Sequence, residues 1–245
     1  MAMSRFMFFI ARWTIAMGLL LLVPSRAVMA TDQTRLVTFS SQQIFPLDAV
    51  MTMALRAGIP LGIEFGESDN GLCSNRRDLA IDRQDASHAL HQAVEGTGYT
   101  VAEQNGVIVL RSPRISDREM SLLQLRYSSF PVKPADSMYR IGVQLTEWMQ
   151  MEGEHVGAFA AAIPIYHEPQ ENSLGTLVSL NTVEIANRIV TQSGAGVWLF
   201  RPYFSQTLNR VDYKVSIYSY AINSTQIEKI ACETGSMGDL TDNPK

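Results

Sequence analysis

The chain has 245 residues and a formal net charge of −4; 46% of its residues are hydrophobic and 18% are charged. This composition is typical of a globular protein with one large or two small domains, and it excludes a largely disordered chain. An acidic chain without a basic cluster is also a poor ligand for nucleic acids or anionic lipid surfaces.

The first thirty residues have the three parts of a secretory signal peptide. Arg5 and Arg12 give a positive start without acidic residues, Thr14 to Val23 is apolar, and Val28-Met29-Ala30 supplies small or tolerated residues before a cleavage point. The alternative is an uncleaved anchor, since Phe6 to Ile10 could lengthen the apolar stretch, but the uninterrupted run is shorter than the roughly 20 residues of a membrane span. We therefore expect a periplasmic or secreted protein that has no membrane span after cleavage and that could associate with the outer membrane.

A first β-α-β unit is predicted directly after the signal. Leu36 to Phe39 is a short strand, Pro46 occupies a first helical position where its missing N–H costs nothing, and Gly58 ends the helix before a returning strand at Ile59 to Phe65. The helix has a single apolar stripe made of Leu47, Val50, Met51, Ala54 and Leu55.

A second unit follows a polar loop that carries Cys73. Leu79 and Ile81 form a strand, Asp85 is placed to cap the next helix, and Asn105-Gly106 predicts a tight hairpin between Tyr99–Ala102 and Val107–Leu110. The helix repeats the spacing of the first stripe with Ala86, Ala89, Leu90, Ala93 and Val94, and Gly96 and Gly98 stop it.

These residues resemble the secretin and TonB short N-terminal domain, a small periplasmic module. The resemblance covers Val37 to Arg111, about a third of the chain. It is carried by Pro46-Leu47, Ala54, Gly58, Ala89-Leu90, the turn Gly96-Thr97-Gly98-Tyr99 and the closing strand Gly106 to Leu110. The polar loop around Cys73 and Asp82-Arg83-Gln84 before the second helix depart from the pattern. The resemblance implies a non-catalytic module that interacts with another protein of the outer membrane.

A second α+β domain is predicted at 122–221, after a linker at 112–121 that contains Pro113 and several charges, and before a polar tail at 222–245. Leu122 to Tyr127 alternates as a strand. Ala135 to Met151 is the longest helix of the mature part, with an apolar stripe of Met138, Ile141, Leu145, Trp148 and Met149.

A third copy of the unit lies near the end of this domain. Leu177 to Leu180 is a strand, Asn181 is a candidate helix cap, and Val197 to Phe200 returns as a strand. The stripe of the helix is Val183, Ala186, Ile189 and Val190, with Ser193-Gly194 as its stop. Asp212 to Tyr220 alternates as a final, edge-type strand. The predicted fold is therefore α+β: two small modules of β-α-β units, with helices packed on short mixed sheets.

Few residues suggest chemistry. Cys73 and Cys232 are the two cysteines of the mature part, and in an oxidising compartment they either form a disulfide or stay separate. His88 and His91 could share a metal, but we interpret them as the outward face of a helix because no third ligand lies near them in the sequence. We predict no catalytic residue, no cofactor and no metal.

Three functions are compatible with these patterns. The favoured hypothesis is an envelope protein that binds an unidentified protein partner through a sheet edge or a helix face. One alternative is a cell-wall or glycan hydrolase that uses Glu152, Glu154 or Glu168, beside His155 and His167. The other is a periplasmic binder of small ligands with a pocket lined by the aromatic residues near the end of the chain, which core packing would equally explain.

Overall fold

The computed structural model describes residues 35–67, 69–133, 136–152, 174–192, 194–205 and 209–220. The first half contains β1 (Leu36–Ile44), α1 (Pro46–Ala57), β2 (Leu61–Glu64), β3 (Arg77–Asp85), α2 (Ala86–Val94), β4 (Thr100–Gln104) and β5 (Val107–Arg111). The second half contains α3 (Asp117–Leu123), β6 (Arg126–Pro131), α4 (Met138–Glu152), β7 (Thr176–Asn181), α5 (Thr182–Gln192), β8 (Gly196–Ser205) and β9 (Arg210–Ser219). The predicted α+β class is confirmed.

The central element is a five-stranded mixed sheet in the order β4-β5-β2-β8-β9. Its middle strand β2 is parallel to both neighbours, β5 and β8, whereas β4 and β9 pair antiparallel with the strands beside them. Two further antiparallel pairs, β1 with β3 and β6 with β7, form separate two-stranded sheets.

The central sheet is covered on both faces. One core joins the sheet to α1, α2, β1 and β3, and a second core on the other face joins it to α3, α4, α5, β6 and β7. Alternate residues of β5 enter different cores: Ile108 and Leu110 face the first, Val107 and Val109 the second. This explains why the central strands are continuous apolar runs rather than alternating ones.

Helix α1 contacts both the central sheet and the β1–β3 pair, which buries more of its surface than one stripe. Ala49 and Met53 are buried in addition to Leu47, Val50 and Ala54. The single stripe that the sequence predicts is the part of this wider apolar surface that follows the helical period.

The predicted domain boundary at 112–121 does not separate two sheets, because the central sheet takes strands from both sides of it. β2 from the first predicted module pairs with β8 from the second, so both modules contribute to the same sheet. All four residues of β2 are buried, and an apolar strand of this kind needs a neighbour on each edge. The predicted linker contains most of α3, whose Leu123 enters the second core.

The segment 122–127, predicted as a strand, is another difference. A capping box starts α3, with Ser116 and Glu119 satisfying each other's backbone N–H groups, and the helix runs through Leu123 before β6 begins at Arg126. The expected signal peptide, the tail at 222–245 and the segment 155–165 lie outside the described residues.

Candidate functional site

The edge of the central sheet at β9 is covered by helix α4. Thr146 Oγ1 accepts a hydrogen bond from Val215 N at 2.9 Å and lies 3.1 Å from the Val215 carbonyl oxygen, to which its hydroxyl can donate. The same hydroxyl oxygen lies 2.9 Å from the Gly142 carbonyl oxygen, so its single proton has two acceptors, while the oxygen itself accepts the outward N–H of Val215. Gln150 Nε2 donates to the Tyr213 carbonyl at 3.5 Å. Helix α4 thus also bonds to the next residue of β9 whose backbone groups point away from β8.

Gly142 allows the helix to come this close to the strand. A Cβ atom at this position would lie 3.0 Å from the Ile217 backbone nitrogen and 3.2 Å from the Val215 carbonyl oxygen. Contacts this short are tighter than ordinary van der Waals distances, so a side chain here would push α4 away from β9. Gly142 and Thr146, one helical turn apart, together close this edge of the sheet.

The opposite edge, at β4, is open in the described part of the chain. β4 pairs with β5 over five consecutive residue pairs without a register shift. Ile108 N donates to the Pro60 carbonyl and Ser112 N to the Glu64 carbonyl, both towards β2. The backbone groups of Val107, Val109 and Arg111, which alternate with these residues, therefore face β4. In an antiparallel ladder the backbone groups of Val101 and Glu103 must then point away from β5. Along the described strands, these two residues offer unpaired N–H and C=O groups at the surface.

The β4 side chains add little protection to this edge. Thr100, Ala102 and Glu103 are exposed, and the five-residue strand contains no proline, lysine or bulge; Glu103 is its one charged side chain among the usual devices that keep a sheet edge from pairing. Asn187 holds the end of the strand from one face: its Nδ2 donates to the Gln104 carbonyl at 3.3 Å, and its Oδ1 accepts from Trp198 Nε1 at 2.7 Å.

The two outer sheets do carry such devices. The β1–β3 ladder has two register shifts, and Gln43 and Arg83 have positive φ angles of 49° and 48°. In the β6–β7 pair, Ser179 has a φ of 56°, and β6 ends at Pro131. Such irregularities disturb the regular row of donors and acceptors that a further strand needs. β4 is thus the most regular free edge among the described strands.

A polar cluster lies where the parallel strands β2 and β5 end. Glu64 is fully buried and accepts hydrogen bonds from two guanidinium nitrogens of Arg111, of which Nη2 lies 3.2 Å from Oε1. The hydrogen bond to Glu64 raises the pKa of Arg111 against the opposing effect of burial. A charge-assisted pair of this geometry holds the ends of the two strands together.

Asp69 forms the second part of this cluster. It accepts hydrogen bonds from the Ser112 hydroxyl and, at 2.8 Å, from the Gly71 backbone N–H. Burial, and next the nearby Asp69 carboxylate, raise the pKa of Tyr99. These contacts connect the loop after β2 to the segment after β5, so the polar groups hold loops in place.

The two histidines of α2 do not form a metal centre with other described residues. His88 and His91 are exposed, while Ala89, Leu90, Ala93 and Val94 face the core. Within the described ranges no group of three His, Cys, Asp or Glu side chains could hold a metal ion. His155 and His167 lie outside the described residues.

The carboxylates of the hydrolase alternative fall almost entirely outside the described residues. Glu152 is the last residue of α4, and Glu154 and Glu168 lie outside the described residues. The aromatic residues near the end of the chain pack inside: Trp198, Phe200, Tyr213, Tyr218 and Tyr220 are all buried. Phe200 stacks on Tyr213 with ring centroids 5.7 Å apart.

Cys73 lies at the end of a single 3-10 turn, Gly71–Cys73, and is disulfide-bonded. Cys232 lies outside the described residues, so its pairing stays a prediction.

Several residues of the family resemblance occupy caps and turns, whereas Leu47, Ala54, Ala89 and Leu90 are buried inside α1 and α2. Pro46 begins α1 and Gly58 caps it in the left-handed conformation, with φ 61°. Asp85 caps α2 through a 2.9 Å bond from His88 N. Gly96 and Gly98 follow α2 with positive φ angles before the buried Tyr99, and Asn105-Gly106 forms the β4–β5 turn.

Sequence reasoning missed Glu64, Arg111, Gly142 and Thr146. Glu64 and Arg111 had a usable signal, because each is a charged residue that closes an otherwise apolar strand. Gly142 and Thr146 had a weaker one, a glycine and a threonine four residues apart in a long helix.

Comparison of the chain with known protein families, with curated proteins and with solved structures finds no match. Among the described residues, no helix is long and apolar enough to cross a membrane.

Proposed function

We propose that this protein is exported to the bacterial cell envelope and acts there, without catalysis, by binding another protein through the free edge of β4. The location follows from the signal-like first thirty residues, and the mode of action from the resemblance to the secretin and TonB short N-terminal domain. The observation that carries the proposal is the open, regular edge at β4.

Edge pairing is favoured over docking on a helix face. The apolar faces of α1 and α2 are buried in the first core, which leaves mainly charged and polar side chains on their outer surface. An edge strand offers backbone hydrogen bonds to any extended segment, with specificity from the alternate side chains.

The test compares two substitutions at Glu103. Glu103→Pro removes the outward N–H without touching the bonds to β5, and Glu103→Thr keeps the N–H and favours a strand. We expect the tagged wild-type protein and the threonine variant to capture a protein from envelope extracts, other copies of this chain included, and the proline variant to capture much less.

Equal capture by all three proteins would contradict binding through β4. Enrichment of no protein, together with a glycan or small molecule that raises the melting temperature, would contradict the proposed function itself. N-terminal sequencing of the exported protein tests the location, since cleavage after Ala30 gives Thr31 as the first residue.

A further inference from the structure

We propose that the partner at this edge is a second copy of the chain, with the two β4 strands antiparallel about a twofold axis at Ala102. The central sheets of the two copies would then form one continuous sheet. This inference rests on the proposed function, because it names the occupant of the same edge.

The positions of the outward backbone groups are compatible with this arrangement. With the axis at Ala102, Val101 of one copy lies opposite Glu103 of the second copy, and the reverse holds on the other side of the axis. The backbone N–H and C=O groups of both residues point away from β5, so Val101 of each copy can exchange two N–H···O bonds with Glu103 of the other copy. All five residues of β4 take part.

Other registers that keep the hydrogen-bond pattern are less favourable. An axis at Glu103 places two carboxylates directly opposite each other, which is destabilising, and moves the Asn105-Gly106 turn into the pairing. An axis at Val101 brings in Tyr99, which is buried and precedes the strand. The axis at Ala102 avoids both problems.

The side chains also fit this register. Ala102 faces Ala102 of the second copy, the position where strands approach most closely, and Thr100 faces Gln104. Glu103 faces Val101 of the second copy, and the two Glu103 carboxylates are diagonal neighbours about 7–8 Å apart rather than directly opposite. A pair of five-residue strands is small compared with the interfaces of stable dimers, so we expect the association to depend on protein concentration.

Cysteine cross-linking tests the register. Residues facing each other at the axis have Cα atoms about 4.5 Å apart, within the range of a disulfide. Ala102→Cys should therefore give a disulfide-linked dimer under mild oxidation. Thr100→Cys is the matched control: it is equally exposed, but its counterpart in the second copy would lie about 14 Å away along the strands.

Peptide mapping should identify a link between the two copies of position 102, and Cys73 should keep its native disulfide. Cross-linking of Thr100→Cys as readily as of Ala102→Cys would overturn the inference.

Sedimentation equilibrium tests the association without added cysteines. We expect the mass of the wild type and of Glu103→Thr to rise towards twice the monomer mass with concentration, and Glu103→Pro to stay monomeric with an unchanged far-UV spectrum. A wild type that stays monomeric at all concentrations, yet captures a different envelope protein through β4, would overturn this inference and leave the proposed function standing. If Glu103→Pro behaved like the wild type in sedimentation and in capture from envelope extracts, both the dimer and the binding of a protein through β4 would be overturned.

Discussion

The two edges of the central sheet differ in how their outward backbone groups are satisfied. At β9, Thr146 and Gln150 of α4 bond to these groups, and Gly142 lets the helix approach. At β4, nothing in the described part of the chain bonds to the outward N–H and C=O groups of Val101 and Glu103. The covered edge contributes to stability, whereas the open edge is available for recognition.

The largest effect is expected from proline at the covered edge. Val215→Pro removes the N–H that Thr146 accepts, at a buried position, and should lower the free energy of unfolding by about 3 kcal/mol. Urea unfolding measures the change. Val215→Ala is the control for the lost side chain, and equal losses in the two variants would contradict a role for the N–H.

Loss of the Thr146 hydroxyl should have the next largest effect. Thr146→Val keeps the shape but leaves the Val215 N–H without its acceptor and removes the proton that the Gly142 and Val215 carbonyls share, at a cost of about 1–3 kcal/mol. Thr146→Ser keeps the hydroxyl and should lose less. The urea midpoints of the two variants measure the difference. A serine variant as unstable as the valine variant would contradict the role of the hydroxyl at the β9 edge.

A side chain at Gly142 should separate α4 from β9. Gly142→Val should cost about 1–3 kcal/mol through overpacking against Ile217 and Val215. Helix propensity favours valine over glycine, so a loss at this position would come from packing; Glu147→Val, at an exposed position of the same helix, shows the effect of a valine that has no strand beside it. Similar melting temperatures for both variants would contradict close packing at Gly142.

Alkaline pH should weaken the contact between the end of β9 and the start of β2. Burial raises the pKa of Tyr220, whose hydroxyl donates to the Ile59 carbonyl at 2.8 Å. The unfolded state loses this proton near pH 10 while the folded state keeps it, so the stabilisation is complete below about pH 10 and falls above it by about 1.4 kcal/mol per pH unit. In urea unfolding above pH 10, the free energy of unfolding of Tyr220→Phe should fall less steeply with pH than that of the wild type. Equal slopes for the two proteins would contradict a role for the Tyr220 hydroxyl.

The smallest effect on stability is expected at the open edge. Glu103→Pro should change the free energy of unfolding by less than about 1 kcal/mol, because its N–H has no partner in the described structure and proline is tolerated at edge strands. The free energies of unfolding of Glu103→Pro and Val215→Pro, measured side by side, compare the effect of proline at the two edges. A loss as large as that of Val215→Pro would show that β4 is not a free edge.

The sequence predicted local features well because their causes are local. Asp85 and Asn181 cap helices through side chains three residues from the N–H groups they accept, and Asn105-Gly106 closes a hairpin between adjacent strands. The capping box at Ser116 and Glu119 was present in the sequence as well, and it explains why the segment predicted as a linker contains α3.

The sequence by itself therefore determined the α+β class, several caps and turns and the approximate position of most elements. Only the tertiary structure decided that β2 pairs with β8, that two cores share one sheet, and that α4 covers β9 while β4 stays open among the described elements. These features depend on residues far apart in the chain, such as Thr146 and Val215, which are separated by 69 positions. No local pattern specifies which distant strand or helix will meet, because that choice is made by the packing of whole elements.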